Sequence, residues 1–408
     1  MRNVGLKRFL DRALFPLIAS VLILFGLIPD LIGFGSPGYG PFQILLTIIG
    51  CTVFVISVLL NLSISKCLSI SKYKFLLLIT SSLLSMIVLD LVVVLIRPMN
   101  YEKTRYGWRS PSGIQKHKVQ DTRDNFREIT NYYFRNGFKR WGNINSDKNK
   151  ILIIGDSFTQ MNLVANGEEW YAYIEKYLKD IELFVYGRGG YGTLQEYLVL
   201  DDYIDEVNPK FIIWQFCDND YVNNTYALDR RIYPLNPIRF RPYLENNKVV
   251  YRMAAPFSWL RQHSFIAESL LISYERYQRY LRNEYQQRVG FLRSRLKEEK
   301  PELEILREES FQITLRIMSN VRERAGAIPI YMFNACGPIT NKEEKICREN
   351  SIICIYGVHE YVDDHAKKGH QVTVVNDGHW NKKGNQLAGE KLVDHFTQKQ
   401  ILVSKTEG

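Results

Sequence analysis

Four consecutive apolar residues, Ile151-Leu152-Ile153-Ile154, run directly into Gly155-Asp156-Ser157-Phe158-Thr159. This junction constrains the fold more than any other stretch of the chain. A run that is apolar at every position reads as a strand buried on both faces, the condition of a parallel sheet covered by helices on each side. The run stops at Gly155 and delivers Asp156 and Ser157 at the strand's carboxyl end, where open α/β sheets place their ligands. A serine in that position becomes a nucleophile when a base and oxyanion donors converge on it.

The later chain repeats the same grammar. A helix is expected over about 168–178, then a strand over Leu183–Tyr186 that ends in Gly187-Arg188-Gly189-Gly190-Tyr191-Gly192-Thr193. A helix from Leu194 leads to a third strand, Phe211–Phe216, which ends in Cys217-Asp218-Asn219-Asp220. After an interruption the alternation resumes with a helix near 308–325, a strand over Ile328–Phe333, a helix near 342–350 and a strand over Ile352–Tyr356. Asn376-Asp377-Gly378-His379-Trp380-Asn381 then precedes a closing helix near 383–396. Strands alternating with helices predict a parallel sheet with right-handed crossovers. The interruption, about 221–305, reads as an insertion beside the active-site edge. Its Pro-, Arg- and Tyr-rich part, Tyr226–Arg252, is expected to be irregular, and Ser258–Lys300 a long amphipathic helix. Residues 98–149 form a polar lead-in, with a hairpin expected at Asn131–Arg140 because Asn136-Gly137 tolerates positive φ between aromatic runs.

The first 97 residues are of another kind. Runs at about 13–35, 41–63 and 74–97 are each long enough to cross a hydrocarbon core of ~30 Å as a helix. Arg2, Lys7, Arg8 and Arg12 precede the first run, and Lys66, Lys72 and Lys74 separate the second from the third. Positive loops stay inside. The expected topology is therefore a three-helix membrane anchor in the bacterial inner or plasma membrane, its lipid bilayer a partner, with the rest of the chain periplasmic or extracellular. The net charge of +10 raises nucleic acid as a partner, but no basic stripe or nucleic-acid motif accompanies it, and much of the excess flanks the apolar runs. No nucleic acid is expected. The six cysteines show no CxxC pair or metal spacing. Buried reduced thiols are the expectation, with a Cys347–Cys354 disulfide as the minority alternative.

Acyl chemistry by a serine route needs a base beside the hydroxyl, a group orienting that base, and preorganised donors for the oxyanion. Ser157 can be the nucleophile, with its own backbone N–H as one donor. Gly190 can supply a second backbone N–H, Asn219 a side-chain N–H, and His379 the base. These blocks, Gly155-Asp156-Ser157, Gly190, Asn219 and His379, stand in the order found in the SGNH (GDSL-type) hydrolase superfamily, which residues 150–400 resemble. The resemblance implies a three-layer α/β/α sandwich with a parallel sheet and ester-bond chemistry on lipids, acyl groups or O-acetylated sugars. It implies Ser157 as nucleophile, His379 as base, and Ser157, Gly190 and Asn219 as the oxyanion hole. One position departs from the pattern: the acid three residues before the histidine is here Asn376, with Asp377 following. Either Asp377 takes the role through a shifted loop, or Asn376 orients the imidazole without charge and the site runs as a Ser–His dyad helped by a backbone carbonyl. Asp377 is favoured.

Asp156 is expected to brace the loop, Asp220 to cap the segment after it, and Gly187, Gly189 and Gly192 to serve the turn alone. The string His359-Glu360-Tyr361-Val362-Asp363-Asp364-His365 misses HExxH spacing, so a solvated loop is expected there, with no metal. His117, His263, His370 and His395 show no partners in sequence. No cofactor is expected. Three functions are compatible with these residues: a membrane-anchored extracytoplasmic esterase or deacylase acting on an acylated glycan or other ester, an O-acyltransferase fed by a separate acyl-donor membrane protein, and a non-catalytic binding protein on the same fold.

Overall fold

A computed structural model describes residues 102–122, 125–232, 240–253, 301–375 and 377–403. The expected spans at 13–35, 41–63 and 74–97, the helix expected at Ser258–Lys300, and Asn376 lie outside these residues. Among the described residues no helix is long and apolar enough to cross a membrane.

In chain order the strands are β1 (Glu102–Thr104), β2 (Gly107–Arg109), β3 (Gly113–Thr122), β4 (Asn125–Tyr133), β5 (Arg140–Trp141), β6 (Asn149–Gly155), β7 (Ile181–Gly187), β8 (Phe211–Phe216), β9 (Phe240–Glu245), β10 (Lys248–Met253), β11 (Ile330–Asn334) and β12 (Ile353–Cys354). Six of them make one sheet in the order β12-β11-β8-β6-β7-β5. Every pair in it is parallel except β5 with β7, which is antiparallel and closes the edge. β6 therefore sits inside the sheet, between β7 and β8, and its four apolar residues are fully buried.

Because successive strand residues face opposite sides, β6 divides its residues between two cores. Ile151 and Ile153 pack with Trp170, Ile174, Trp380, Leu387 and Leu392. Leu152 and Ile154 pack with Leu198, Trp214, Met318 and Val321. The first core is closed by helices Trp170–Tyr177, Val358–Lys367 and Lys382–Gln398, and the second by Thr193–Val207, Pro301–Ala325 and Asn341–Glu349. The result is a mostly parallel sheet with helices on both faces. Local signals set the helix starts: Thr340 and Glu343 form a capping box, and the Asn381 side chain accepts from the N–H groups of Lys383 and Gly384.

Several expectations are corrected. Asn136 and Gly137 do adopt positive φ, 59° and 86°, but the strands they join do not pair with each other. β4 pairs with β3, and β5 crosses to β7. The turn is local chemistry, whereas pairing follows from where the buried faces of each strand can go. Tyr226–Arg252 is not irregular: it holds a helix, Tyr226–Ile232, and the β9–β10 hairpin. Asn246 and Asn247 both take positive φ at that hairpin's tip, 49° and 62°, the two-residue turn that matches strand twist. Its buried Arg241 pairs with buried Asp229 at 3.3 Å, which explains charged residues in a core-facing strand. The string from His359 to His365 lies in helix Val358–Lys367, which buries Val358 and Val362 one turn apart. Four cysteines are not thiols: Cys347 is joined to Cys354, the alternative raised above, and Cys217 to Cys336, which was not expected, with Cα separations of 6.0 and 5.1 Å, both ordinary for disulfides.

Candidate active site

The last residue of the strand, Gly155, is a glycine because no side chain fits there. A Cβ would stand 2.5 Å from Thr159 Oγ1 and 2.9 Å from Gln215 Cβ. Asp156 comes next, wholly buried, its carboxylate accepting from the Phe158 N–H at 2.9 Å while Gln215 Oε1 accepts from its own N–H at 3.1 Å. This side chain turns the backbone from strand into the short helix Ser157–Gln160. Burial pushes the Asp156 carboxyl up, against the pull of the Phe158, Gln215 and Asn219 hydrogen bonds and of His379. It braces the turn and leaves Ser157 at the rim.

His379 arrives from the opposite end of the sequence. Its loop is folded on itself by the Val374 N–H to His379 carbonyl bond at 3.0 Å, the Asn381 N–H to Val372 carbonyl bond at 2.9 Å, and an isolated bridge between Thr373 and Trp380. The imidazole lies against Phe158, ring centres 4.8 Å apart. Its Nε2 is 2.7 Å from Ser157 Oγ. Its Nδ1 is 2.5 Å from Asp377 Oδ1, and the same oxygen accepts from the His379 backbone N–H at 2.8 Å. An aspartate that bonds the N–H two residues on makes a compact turn, and here that turn also presents the carboxylate to the ring. Nδ1–H therefore donates to Asp377 and Nε2 is left to accept the Ser157 proton.

The electrostatics agree with that assignment. The bond to His379 lowers the Asp377 pKa, overcoming the opposing effect of burial. At His379 burial lowers the pKa, but the bond and charge of Asp377, with the charge of Asp156, more than offset it and the net direction is up.

Ser157, Gly190, Asn219 and His379 all line one cavity of 730 Å³. Gly190 takes φ +77°, which glycine adopts without strain. The loop before it is held from behind: the Gly189 N–H donates to Gln160 Oε1 at 2.7 Å, and Gln160 Nε2 donates to the Tyr133 hydroxyl at 3.0 Å and to Ser110 Oγ at 3.2 Å. Arg188 Nη1 also donates to Ser110 Oγ, at 2.6 Å. Asn219 heads the helix after β8, its Nδ2 3.4 Å from the Tyr191 carbonyl. The arrangement offers a hydroxyl, a base, an oriented carboxylate, and a glycine and an amide bordering the same space. Among the described residues no cluster of three or more His, Cys, Asp or Glu is placed to hold a metal.

Some sequence expectations change here. Gly187, Gly189 and Gly192 do not take positive φ. Gly187 and Gly192 are required by close approach, since a Cβ would lie 2.5 Å from the Thr159 carbonyl carbon at the first and 2.7 Å from Asn223 Cβ at the second. Asp220 does not cap the segment after it; its buried carboxylate accepts from the Cys217 N–H at 3.1 Å and closes the turn behind it. His370 and His359 border the cavity, the latter with Nδ1 3.1 Å from the Ala335 carbonyl. Sequence reasoning missed Gln160, Gln215, Ser110 and Tyr133. Gln215 carried a signal, as one amide in the otherwise apolar strand Phe211–Phe216, where a buried polar group must have a partner. The others carried none.

No protein-family model matches the chain, nor does any curated protein. Solved structures that the chain matches include the psychrotrophic esterase EstA from a Pseudoalteromonas species, 11% identical, covering 62% of this chain and 99% of that one with a TM-score of 0.34. A member of the lipolytic protein G-D-S-L family from Veillonella parvula is 10% identical over 61% of this chain and 98% of its own, TM-score 0.31. The acetyl xylan esterase Est2A from the rumen bacterium Butyrivibrio proteoclasticus is 11% identical over 67% and 68%, TM-score 0.29.

Proposed function

We propose that this chain is a serine esterase or deacylase of SGNH type, held at a membrane by its first 97 residues and working outside the cytoplasm on ester-linked acyl groups of a glycan. The observation that carries the chemistry is the continuous line of hydrogen bonds from Ser157 Oγ through His379 to Asp377, at 2.7 and 2.5 Å. In the reaction Ser157 Oγ attacks the ester carbonyl and its proton passes to His379 Nε2. The oxyanion is met by the backbone N–H groups of Ser157 and Gly190 and by Asn219 Nδ2. Collapse expels the alcohol, which takes the proton from His379, and water then releases the acid from the acyl-serine by the same steps. Asp377 holds the ring in the required tautomer and stabilises the imidazolium. The location rests on the three apolar runs with positive flanks, and two disulfides suit an oxidising compartment.

The test is hydrolysis of 4-nitrophenyl acetate by the full chain in detergent. Ser157→Ala is expected to retain its fold, judged by circular dichroism, and to lose at least about 10³-fold in kcat. Turnover that survives this substitution overturns the esterase reading. Formation of acyl-glycan in place of free acid, when an acceptor glycan is added, makes the protein a transferase through the same serine.

A further inference from the structure

We propose that the Cys217–Cys336 disulfide positions the oxyanion donor Asn219, and that reduction of this bond lowers turnover. The inference rests on the esterase reading above.

Cys217 is the first residue after β8, and Cys336 stands two residues after β11. The two strands are neighbours in register, Asn334 opposite Phe216, so the bridge ties together two adjacent strand ends at the carboxyl rim of the sheet. It closes 119 residues of sequence. The turn that starts at Cys217 carries Asn219 two residues later. Within that turn the Asp220 N–H donates to the Cys217 carbonyl at 2.9 Å, and Asp220 Oδ2 accepts from the Cys217 N–H at 3.1 Å. Across to the neighbouring loop, Asn334 Nδ2 donates to Asp218 Oδ1 at 3.2 Å and Asn334 Oδ1 accepts from the Cys336 N–H at 2.9 Å. The disulfide is the covalent member of this lacing.

Asn219 has two side-chain partners, the Tyr191 carbonyl, which its Nδ2 reaches at 3.4 Å, and the buried Asp156 carboxylate; the helix it heads, Asn219–Asn223, is a single short turn. Whether the amide meets those partners and the oxyanion at the right distance depends on where the backbone carries it, and that backbone begins in the turn that the disulfide anchors. An oxyanion donor works only when it is preorganised at the correct distance, so a small loosening of this turn acts on the transition state more than on substrate binding.

Access supports the redox part. Cys217 and Cys336 line the same cavity as Ser157 and His379, and Cys336 is partly exposed. A small dithiol entering where substrate enters can attack one sulfur as thiolate. The bridging bond breaks, a mixed disulfide forms, and the reagent's second thiol closes its own ring. The protein gains two thiols, and the dithiol is oxidised by two electrons. The other bridge, Cys347–Cys354, belongs to the core on the opposite face of the sheet and provides the internal control.

The experiment uses the full chain in detergent with 4-nitrophenyl acetate. Cys217→Ala/Cys336→Ala is expected to lower kcat by roughly tenfold or more, short of the ~10²–10³ of losing a donor outright, with KM changed less than about twofold. Cys347→Ala/Cys354→Ala keeps the wild-type kcat. Dithiothreitol treatment of the wild type, run well below the melting temperature with circular dichroism to confirm the fold, reproduces the loss, and reoxidation restores it. This arm holds even where the double variant fails to fold. In an Asn219→Ala background, removing Cys217 and Cys336 costs little more, because the two changes act on one donor. The proposal is overturned by wild-type kcat after reduction of Cys217–Cys336, by equal losses in both cysteine pairs, or by a full additive loss in the Asn219→Ala background. Absence of Ser157-dependent turnover refutes the esterase reading instead, and the disulfide's role falls with it; Ser157-dependent turnover indifferent to reduction refutes the disulfide's role alone.

Discussion

Asp377 grips His379 twice, once at the ring and once at the main chain, through a single carboxylate oxygen. In the proposed reaction, that paired contact lets an acid only two residues before the histidine orient its ring. The imidazole pKa is held above its ordinary 6.5 by this contact against the lowering effect of burial. A base must be neutral to accept a proton, so kcat/KM should rise with pH through an acid limb lying above 6.5. Asp377→Asn removes the charge that favours imidazolium, so the limb should move to lower pH while kcat falls, by as much as about 10⁴ if the tautomer is also lost. The pH profile of 4-nitrophenyl acetate hydrolysis reads both effects. A limb that stays in place in Asp377→Asn, with kcat intact, would mean that another group orients the ring.

Between residues and the whole, the elements act as spacers that place loops. Helix Lys382–Gln398 is a case: Gly384, near its start, packs against the Val372 carbonyl oxygen, and an added Cβ would lie 2.9 Å from Trp380 Cβ. Both neighbours belong to the loop that carries His379. On an open helix face, glycine to alanine gains about 1 kcal/mol from propensity. Here Gly384→Ala should instead cost ~1–3 kcal/mol, the range for overpacking, and should lower kcat by moving the histidine loop. Thermal unfolding and turnover measured on the same preparation check the two signs together. This contact was invisible in sequence, although the helix itself was expected within a residue or two of where it lies, from its apolar spacing. The β6 strand was legible for the same reason, because burial on both faces leaves no polar position. The β9–β10 hairpin was not. Its partners are buried ions, Arg241 with Asp229, and an ion pair between separate elements leaves no periodic trace.

At the scale of the whole molecule, buried acids gather behind the rim that carries Ser157: Glu196 and Asp220 beside Asp156. Glu196 and Asp220 are fully buried, and both have pKa values well above the ordinary carboxyl range, chiefly by burial and then by neighbouring negative charge. The folded state holds protons that the unfolded state has already released, so stability is fully present below the unfolded pKa near 4.5 and declines as pH rises toward the folded value. Glu196→Gln keeps the shape without the titration. It should raise the melting temperature at pH 8 and lose that advantage as pH approaches 4.5, which thermal unfolding at several pH values will show. An equal melting-temperature difference at all pH values would mean that Glu196 binds its proton alike in the folded and unfolded chain.

The sequence alone determined what depends on a residue and its near neighbours: strand and helix periods, the polar tips of the strands, the residue types able to do acyl chemistry, and their order along the chain. Those come from burial patterns and side-chain chemistry, which are local. The tertiary structure decided what depends on distance between remote residues. It brought Ser157 and His379, 222 positions apart, to 2.7 Å, placed Asp377 on the ring, joined Cys217 to Cys336, and set the lead-in residues Ser110 and Tyr133 behind the loop that carries Gly190. Contacts of that kind arise only when the sheet is assembled, because the strand order, and not the chain order, fixes which loops share a rim.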